Sequence, residues 1–273
     1  MNKELNLSGM IRSPYRLVRR MVAFLRNINA TKYSYTGLSF ATNHSINFSK
    51  DEKFVKALNK VKLNRCHEFY DVAESKFDTE KFKYHFHTAS WCAEFAVENN
   101  LSLIEGGVAY GATSMFICGF YDLKDYSGDF FLIDTYEGMV REQLSSEETG
   151  EMSKNGRLYP PPEKNNYETI KSTFKEFGCC KVIKGPIPNI LKDIPYDERK
   201  LFGYCHIDMN CVMPEIELVK WVWPRMATGG RILLDDYGWE NHSLQRDAFD
   251  EFLKPFNSRV LTLPTGQGLI IKY

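Results

Sequence analysis

Four apolar runs in this 273-residue chain each close on acidic residues: LSLIEGG on Glu105, DFFLID on Asp134, FGYCHID on Asp208 and GGRILLDD on Asp235 and Asp236. A short run that stays apolar without alternating reads as a strand covered on both faces, the habit of parallel sheets. The carboxylates follow the runs, so the chain is expected to gather them along the carboxyl edge of one sheet. That edge is where an open α/β sheet takes its ligand.

The segments between these runs fix the topology. Strands are expected at 101–107, 129–135, 181–185, 202–208, 231–236, 259–264 and 268–273, with helices near 112–123, 165–178, 214–227 and 241–254. Strand and helix in alternation give a parallel sheet with right-handed crossovers. The last two strands are joined only by Pro264-Thr265-Gly266-Gln267-Gly268, too short for a helix, so they should form an antiparallel hairpin. The expected fold is therefore α/β and Rossmann-like: a seven-stranded, mostly parallel sheet with a C-terminal antiparallel hairpin, as in class I methyltransferases. Helices at 51–63 and 80–99 precede it, and the division expected is an N-terminal helical extension over 1–80 and a catalytic domain over 81–273.

Charge and cysteine content narrow the setting. Lys+Arg and Asp+Glu balance at 35 each, so no global field recruits nucleic acid, and none is expected as a partner. The seven cysteines are odd in number and lack a CxxC pair, which suits a reducing compartment. No run has the length of a membrane span and no secretory signal opens the chain, so a cytoplasmic location is expected. The basic amphipathic stretch IRSPYRLVRRMVAFLRNI offers a packing face for its own domain or for a second subunit of a homo-oligomer, in preference to peripheral contact with an anionic membrane.

Glu105-Gly106-Gly107-Val108-Ala109-Tyr110-Gly111 joins the first strand to a helix, and glycine lets such a backbone turn close against a ligand. It does not match the GxGxxG dinucleotide pattern, which demotes a dehydrogenase. Asp134, ending the next strand, suits the vicinal hydroxyls of a ribose, or else caps a turn. Asp208, Asp235 and Asp236 would repel one another unless protonated or bound to a hard cation such as Mg²⁺. Both members of the Asp235-Asp236 pair can serve one site only if the strand has ended at Asp235. His206 reads as a satisfied core histidine, and His242 as freer to face a substrate. Residues 138–166 are polar, contain Pro160-Pro161-Pro162, and read as a long irregular lid.

Taken in order, Glu105–Gly111, Asp134-Thr135-Tyr136-Glu137-Gly138 and the stretch from Trp223 to Gly238 resemble the macrocin O-methyltransferase family, from about residue 85 to the C-terminus. The resemblance implies O-methylation of a sugar hydroxyl, on a glycan, nucleotide sugar or glycosylated metabolite, with S-adenosylmethionine and a divalent metal. It implies Glu105, Gly107 and Gly111 at the methionine end of the cofactor and Asp134 at its ribose, with Ser114, Thr135 and Gly185 completing the cofactor set. Asp208, Asp235 and Asp236 match the family's metal aspartates, with Asp208 the first choice of general base and His242 the second. The chain departs from the family at Asn210, which stands in place of a second acid, and at Val212, in place of an aromatic. A catechol-like acceptor and a non-catalytic cofactor-binding subunit remain the alternatives.

Overall fold

The computed structural model describes residues 48–66, 80–155 and 166–273. The basic stretch within the first 30 residues lies outside them, as does the Pro160-Pro161-Pro162 run. In chain order the main elements are α1 (Glu52–Leu63), α2 (Glu80–Glu98), β1 (Ser102–Gly106), α3 (Ala112–Tyr121), β2 (Phe130–Asp134), α4 (Ser146–Asn155), α5 (Asn166–Thr173), β3 (Cys180–Lys184), β4 (Phe202–Ile207), α6 (Val212–Val222), β5 (Met226–Leu234), α7 (Ser243–Leu253), β6 (Leu261–Thr262) and β7 (Gly268–Ile271). Among the described residues no helix is long and apolar enough to cross a membrane.

One seven-stranded sheet runs in the order β3-β2-β1-β4-β5-β7-β6. Strands β1 to β5 pair parallel, β7 pairs antiparallel with β5, and β6 antiparallel with β7. The order steps outward from β1 in both directions, so the crevice between β1 and β4 is the switch point where an open α/β sheet binds ligands.

Alternation along buried strands sorts their side chains between two cores. Leu103, Phe130, Leu132, Tyr204 and Leu233 face one side, with Phe54 of α1, Phe86 of α2 and Phe116 of α3. Phe116 anchors that side, its ring 4.9 Å from Phe54 and 4.8 Å from Phe86. Ile104, Phe131, Ile133, Cys205 and Ile232 face the other, under Leu218, Val219 and Val222 of α6 and Phe249 of α7. Close approach of α2 to the sheet depends on Gly203: a Cβ there would lie 2.7 Å from the Cα of Ala96. That approach carries the N-terminal half of α2 over the strand ends, where His85 becomes part of the site.

Two expectations are corrected. β5 begins at Met226, not 231, because the Ala227-Thr228-Gly229-Gly230 stretch extends the strand through an irregularity in its pairing with β4. The described part of the segment expected to be irregular, 138–155, is ordered: it forms a 3₁₀ turn at Arg141–Gln143 and the helix α4, started by Ser145 and Glu148.

Candidate active site

The turn from β1 to α3 is shaped by its neighbours rather than left free. Gly107 has φ +85°, and a Cβ on it would sit 1.9 Å from the carbonyl oxygen of Asp208, so only glycine lets the turn lie against the end of β4. Asp134 holds the turn from the other side, its Oδ2 accepting from Val108 N at 2.7 Å and Ala109 N at 2.9 Å, and its Oδ1 from Tyr136 N at 2.7 Å. Both carboxylate oxygens thus have backbone partners, and the turn-capping role of Asp134 is the one visible in the structure. Gly111 starts α3 at φ +77° without a side-chain cap. Thr135 Oγ1 donates to Gly138 O, and Gly185 N donates to Asp134 O. Gly107, Gly111, Asp134, Thr135 and Gly185 therefore assemble across the carboxyl ends of β1, β2 and β3.

Glu105 and Ser114 behave differently from that group, since both are buried. Glu105 Oε2 and Ser114 Oγ are also buried oxygens with no hydrogen-bond partner among the described residues. Such groups beside a glycine turn suit a polar ligand that bears both donors and acceptors, as the amino-acid end of S-adenosylmethionine does.

A row of polar side chains crosses the strands on the α2 side of the sheet. Glu105 and His206 are register partners, and His206 Nδ1 donates to Glu105 Oε1 at 3.0 Å. His206 Nε2 lies 3.7 Å from Asp235 Oδ1, which also accepts from Gln267 Nε2 at 3.0 Å and lies 3.3 Å from His85 Nδ1. Burial alone would push the imidazole of His206 down, but hydrogen bonds and charge from Asp235 and Glu105 outweigh it and carry it up to about 10. Burial raises the Glu105 carboxyl, with His206 pulling it back only in part. Asp235 is held well below the usual range, because His85 and His206 overcome its burial. His206 is the core histidine the sequence suggests but is satisfied only at Nδ1, its buried Nε2 reaching Asp235 no closer than 3.7 Å, and it joins the ends of β1 and β5.

Asp208 feels the charges of both Asp235 and Asp236. Burial first, then the charges of those two, pushes its carboxyl well above the ordinary range. Asn210, in the left-handed region at φ +60°, donates its side-chain amide to Asp208 Oδ1 at 3.2 Å. The β5 strand ends at Leu234, so Asp235 and Asp236 are both past it. They nevertheless diverge: Asp235 turns to His85 and His206, while Asp236 Oδ2 lies 3.6 Å from His242 Nδ1. The oxygen donors suit a hard cation, and their crowding is evident at Asp208. Among the described residues, however, no group of three or more His, Cys, Asp or Glu side chains is arranged to hold a metal ion. His242 is corrected as well. It is 5 % exposed and its Nδ1 accepts from Gln245 Nε2 at 2.8 Å, which leaves it packed and not free to face a substrate.

Four residues of the site escape the sequence reading. His85 and Gln267 reach Asp235 from α2 and from the C-terminal hairpin, and nothing local marks them. Glu215, in the first turn of α6, accepts from the backbone of Met209 and Asn210; burial and then the Asp236 charge raise its carboxyl. Glu148 did have a signal, the S-x-x-E capping pattern of Ser145-Ser146-Glu147-Glu148.

A sheet of this order, a glycine turn after β1 and acidic ends on β1, β2, β4 and β5 define the class I methyltransferase fold. Comparison with solved structures gives the same fold. The calicheamicin methyltransferase CalS11 superposes with a TM-score of 0.58 at 15% identity, over 99% of this chain and 98% of that one. The O-methyltransferase NovP superposes with a TM-score of 0.56 at 17% identity, over 69% of this chain and 79% of that one. No protein-family model matches the chain, and no curated protein matches it in sequence.

Proposed function

We propose that this protein is an S-adenosylmethionine-dependent O-methyltransferase acting on a hydroxyl of a sugar or a sugar-like small molecule. The observation that carries the reading is the seat of Asp208: its backbone packs directly against the glycine turn at Gly107, and Asp235 N donates to its neighbour Ile207 O, which sets Asp208 at the ends of β4 and β5 beside that turn. A proton acceptor and a cofactor turn are thereby set edge to edge at the switch point. CalS11, described as a TDP-rhamnose 3'-O-methyltransferase, and the O-methyltransferase NovP support the choice of oxygen as acceptor atom.

When bound, S-adenosylmethionine supplies an electrophilic methyl group on a sulfonium, and transfer to ROH gives the methyl ether, S-adenosylhomocysteine and one proton. The chain's part is to align acceptor and donor and to take that proton. Asp208 is the proposed proton acceptor. Gly107 and Gly111 give the turn its close approach, Asp134 fixes the amides of Val108 and Ala109, and Glu105, Ser114, Thr135 and Gly185 complete the proposed cofactor surroundings. The finer part of the proposal is a divalent cation such as Mg²⁺ on Asp208, Asp235 and Asp236, which requires Asp235 to turn from His85 and Asp236 from His242 toward Asp208, and which would then lower the pKa of the acceptor hydroxyl.

The test is transfer of labelled methyl from S-adenosylmethionine to p-nitrophenyl β-D-glucopyranoside, with catechol as the competing acceptor. Label in a glycoside methyl ether is expected, with a loss of about 10²- to 10⁴-fold in kcat for Asp208→Asn. Chelation is expected to abolish transfer and Mg²⁺ to restore it. Transfer to catechol alone would overturn the sugar assignment, full activity in excess chelator would overturn the cation, and cofactor binding without transfer to either acceptor would favour a non-catalytic binding subunit.

A further inference from the structure

The segment after β2 is fastened to the β4 edge through one buried carboxylate. Ser145 N donates to Glu148 Oε2 at 2.8 Å while Glu148 N donates to Ser145 Oγ at 3.1 Å, a reciprocal box at the start of α4. The other oxygen, Oε1, accepts from Val212 N at 2.7 Å, in the first turn of α6. Glu148 is 4 % exposed. A single charge therefore satisfies orphan amides at two helix starts, both of them positive ends, and does so out of water, where such bonds are strongest.

Beside this joint lies a shallow groove, open to solvent, of about 440 Å³. Leu144, Val212, Met213 and Leu244 give it an apolar wall, with Gln143 and Glu147 also lining it. Its volume falls in the range of small-molecule sites. Glu215 of α6 feels the charges of both Asp236 and Glu148, so the joint that flanks the groove lies near the end of β5 and the proposed chemistry.

We propose that this groove is the subsite for the apolar flank of the acceptor, and that Glu148 is the positioning residue that builds it by tying α4 to α6. The assignment rests on the O-methyltransferase reading for its occupant. Removing the carboxylate frees the start of α6 and the wall carried by α4 together, while the glycine turn keeps its own clamp at Asp134.

The test uses the full chain saturated with S-adenosylhomocysteine, with octyl β-D-glucopyranoside below its micelle concentration as the probe. In Glu148→Ala, the Ser145 and Val212 amides should exchange hydrogen roughly ten-fold faster or more. Probe affinity should fall about ten-fold, while affinity for S-adenosylhomocysteine stays within about two-fold. Glu148→Gln, which keeps one acceptor oxygen, should fall between Glu148→Ala and the parent. Met213→Trp should fill the groove and weaken the probe without changing either amide. Unchanged exchange in Glu148→Ala would overturn the joint. Failure of the parent to bind the probe, or full probe affinity in Met213→Trp, would overturn the subsite. Probe binding without methyl transfer would count against the proposed reaction and leave the subsite standing.

Discussion

Replacing His206 with alanine is expected to cost about 3–5 kcal/mol of folding stability, because it leaves Glu105 buried without its partner and takes from Asp235 one of the two imidazoles beside it. That is a large part of the roughly 5–15 kcal/mol that holds a typical domain folded. His206 is 2 % exposed and its ring bridges β1 and β5 from the middle strand, so water cannot take over its role. Urea unfolding of metal-free protein measures the loss. The same measurement carries a pH signature. The folded chain keeps the His206 proton to about 10, whereas the unfolded imidazole releases it near 6.5. Its contribution is complete below about 6.5, declines as the pH rises, and is gone above about 10. His206→Gln should lack this decline; an identical pH dependence in variant and parent would show that the ring is not held as an imidazolium.

Gly107→Ala is expected to be the most damaging one-methyl change in the cofactor turn. The left-handed backbone there costs an L-residue about 1–3 kcal/mol in strain. The larger effect is steric: the new methyl would lie 1.9 Å from the Asp208 carbonyl oxygen, a backbone atom pinned in turn by Asp208 N donating to Gly106 O at 2.9 Å. Either the turn or the end of β4 must move, and each carries part of the proposed site. Lower thermal stability together with loss of saturable S-adenosylmethionine binding is the expected result by melting and calorimetry. Normal cofactor affinity in a variant that still folds would show that the turn is not the cofactor's seat.

The sheet is legible in the sequence because strands buried on both faces must be mostly apolar, and β1, β2 and β4 are, apart from Ser102, Glu105, Asp134 and His206. The antiparallel end is legible from the shortness of Pro264–Gly268. β5 hides its start because Thr228-Gly229-Gly230, with Gly229 at φ +86°, reads as a turn ahead of the apolar Ile232-Leu233-Leu234. The acidic strand ends announce the site's edge but not its internal order. Pairing of Glu105 with His206 depends on strand register, and the approach of His85 depends on how α2 crosses the sheet. Neither is a local property of sequence. His242 misleads for a related reason: a polar residue after a strand end reads as exposed until α7 folds Gln245 onto it.

Calorimetric titration of S-adenosylmethionine into the parent protein and into Asp134→Ala decides whether the carboxyl edge of β1 and β2 holds the cofactor, as proposed. One saturable site per chain is expected in the parent. In the variant, loss of the clamp on Val108 N and Ala109 N removes two charge-assisted bonds that shape the turn, each worth roughly 1.5–3 kcal/mol, so binding should weaken by at least about ten-fold while the sheet stays folded. No saturable binding to the parent, or equal affinity in the two proteins, would mean that this edge is not the cofactor's seat.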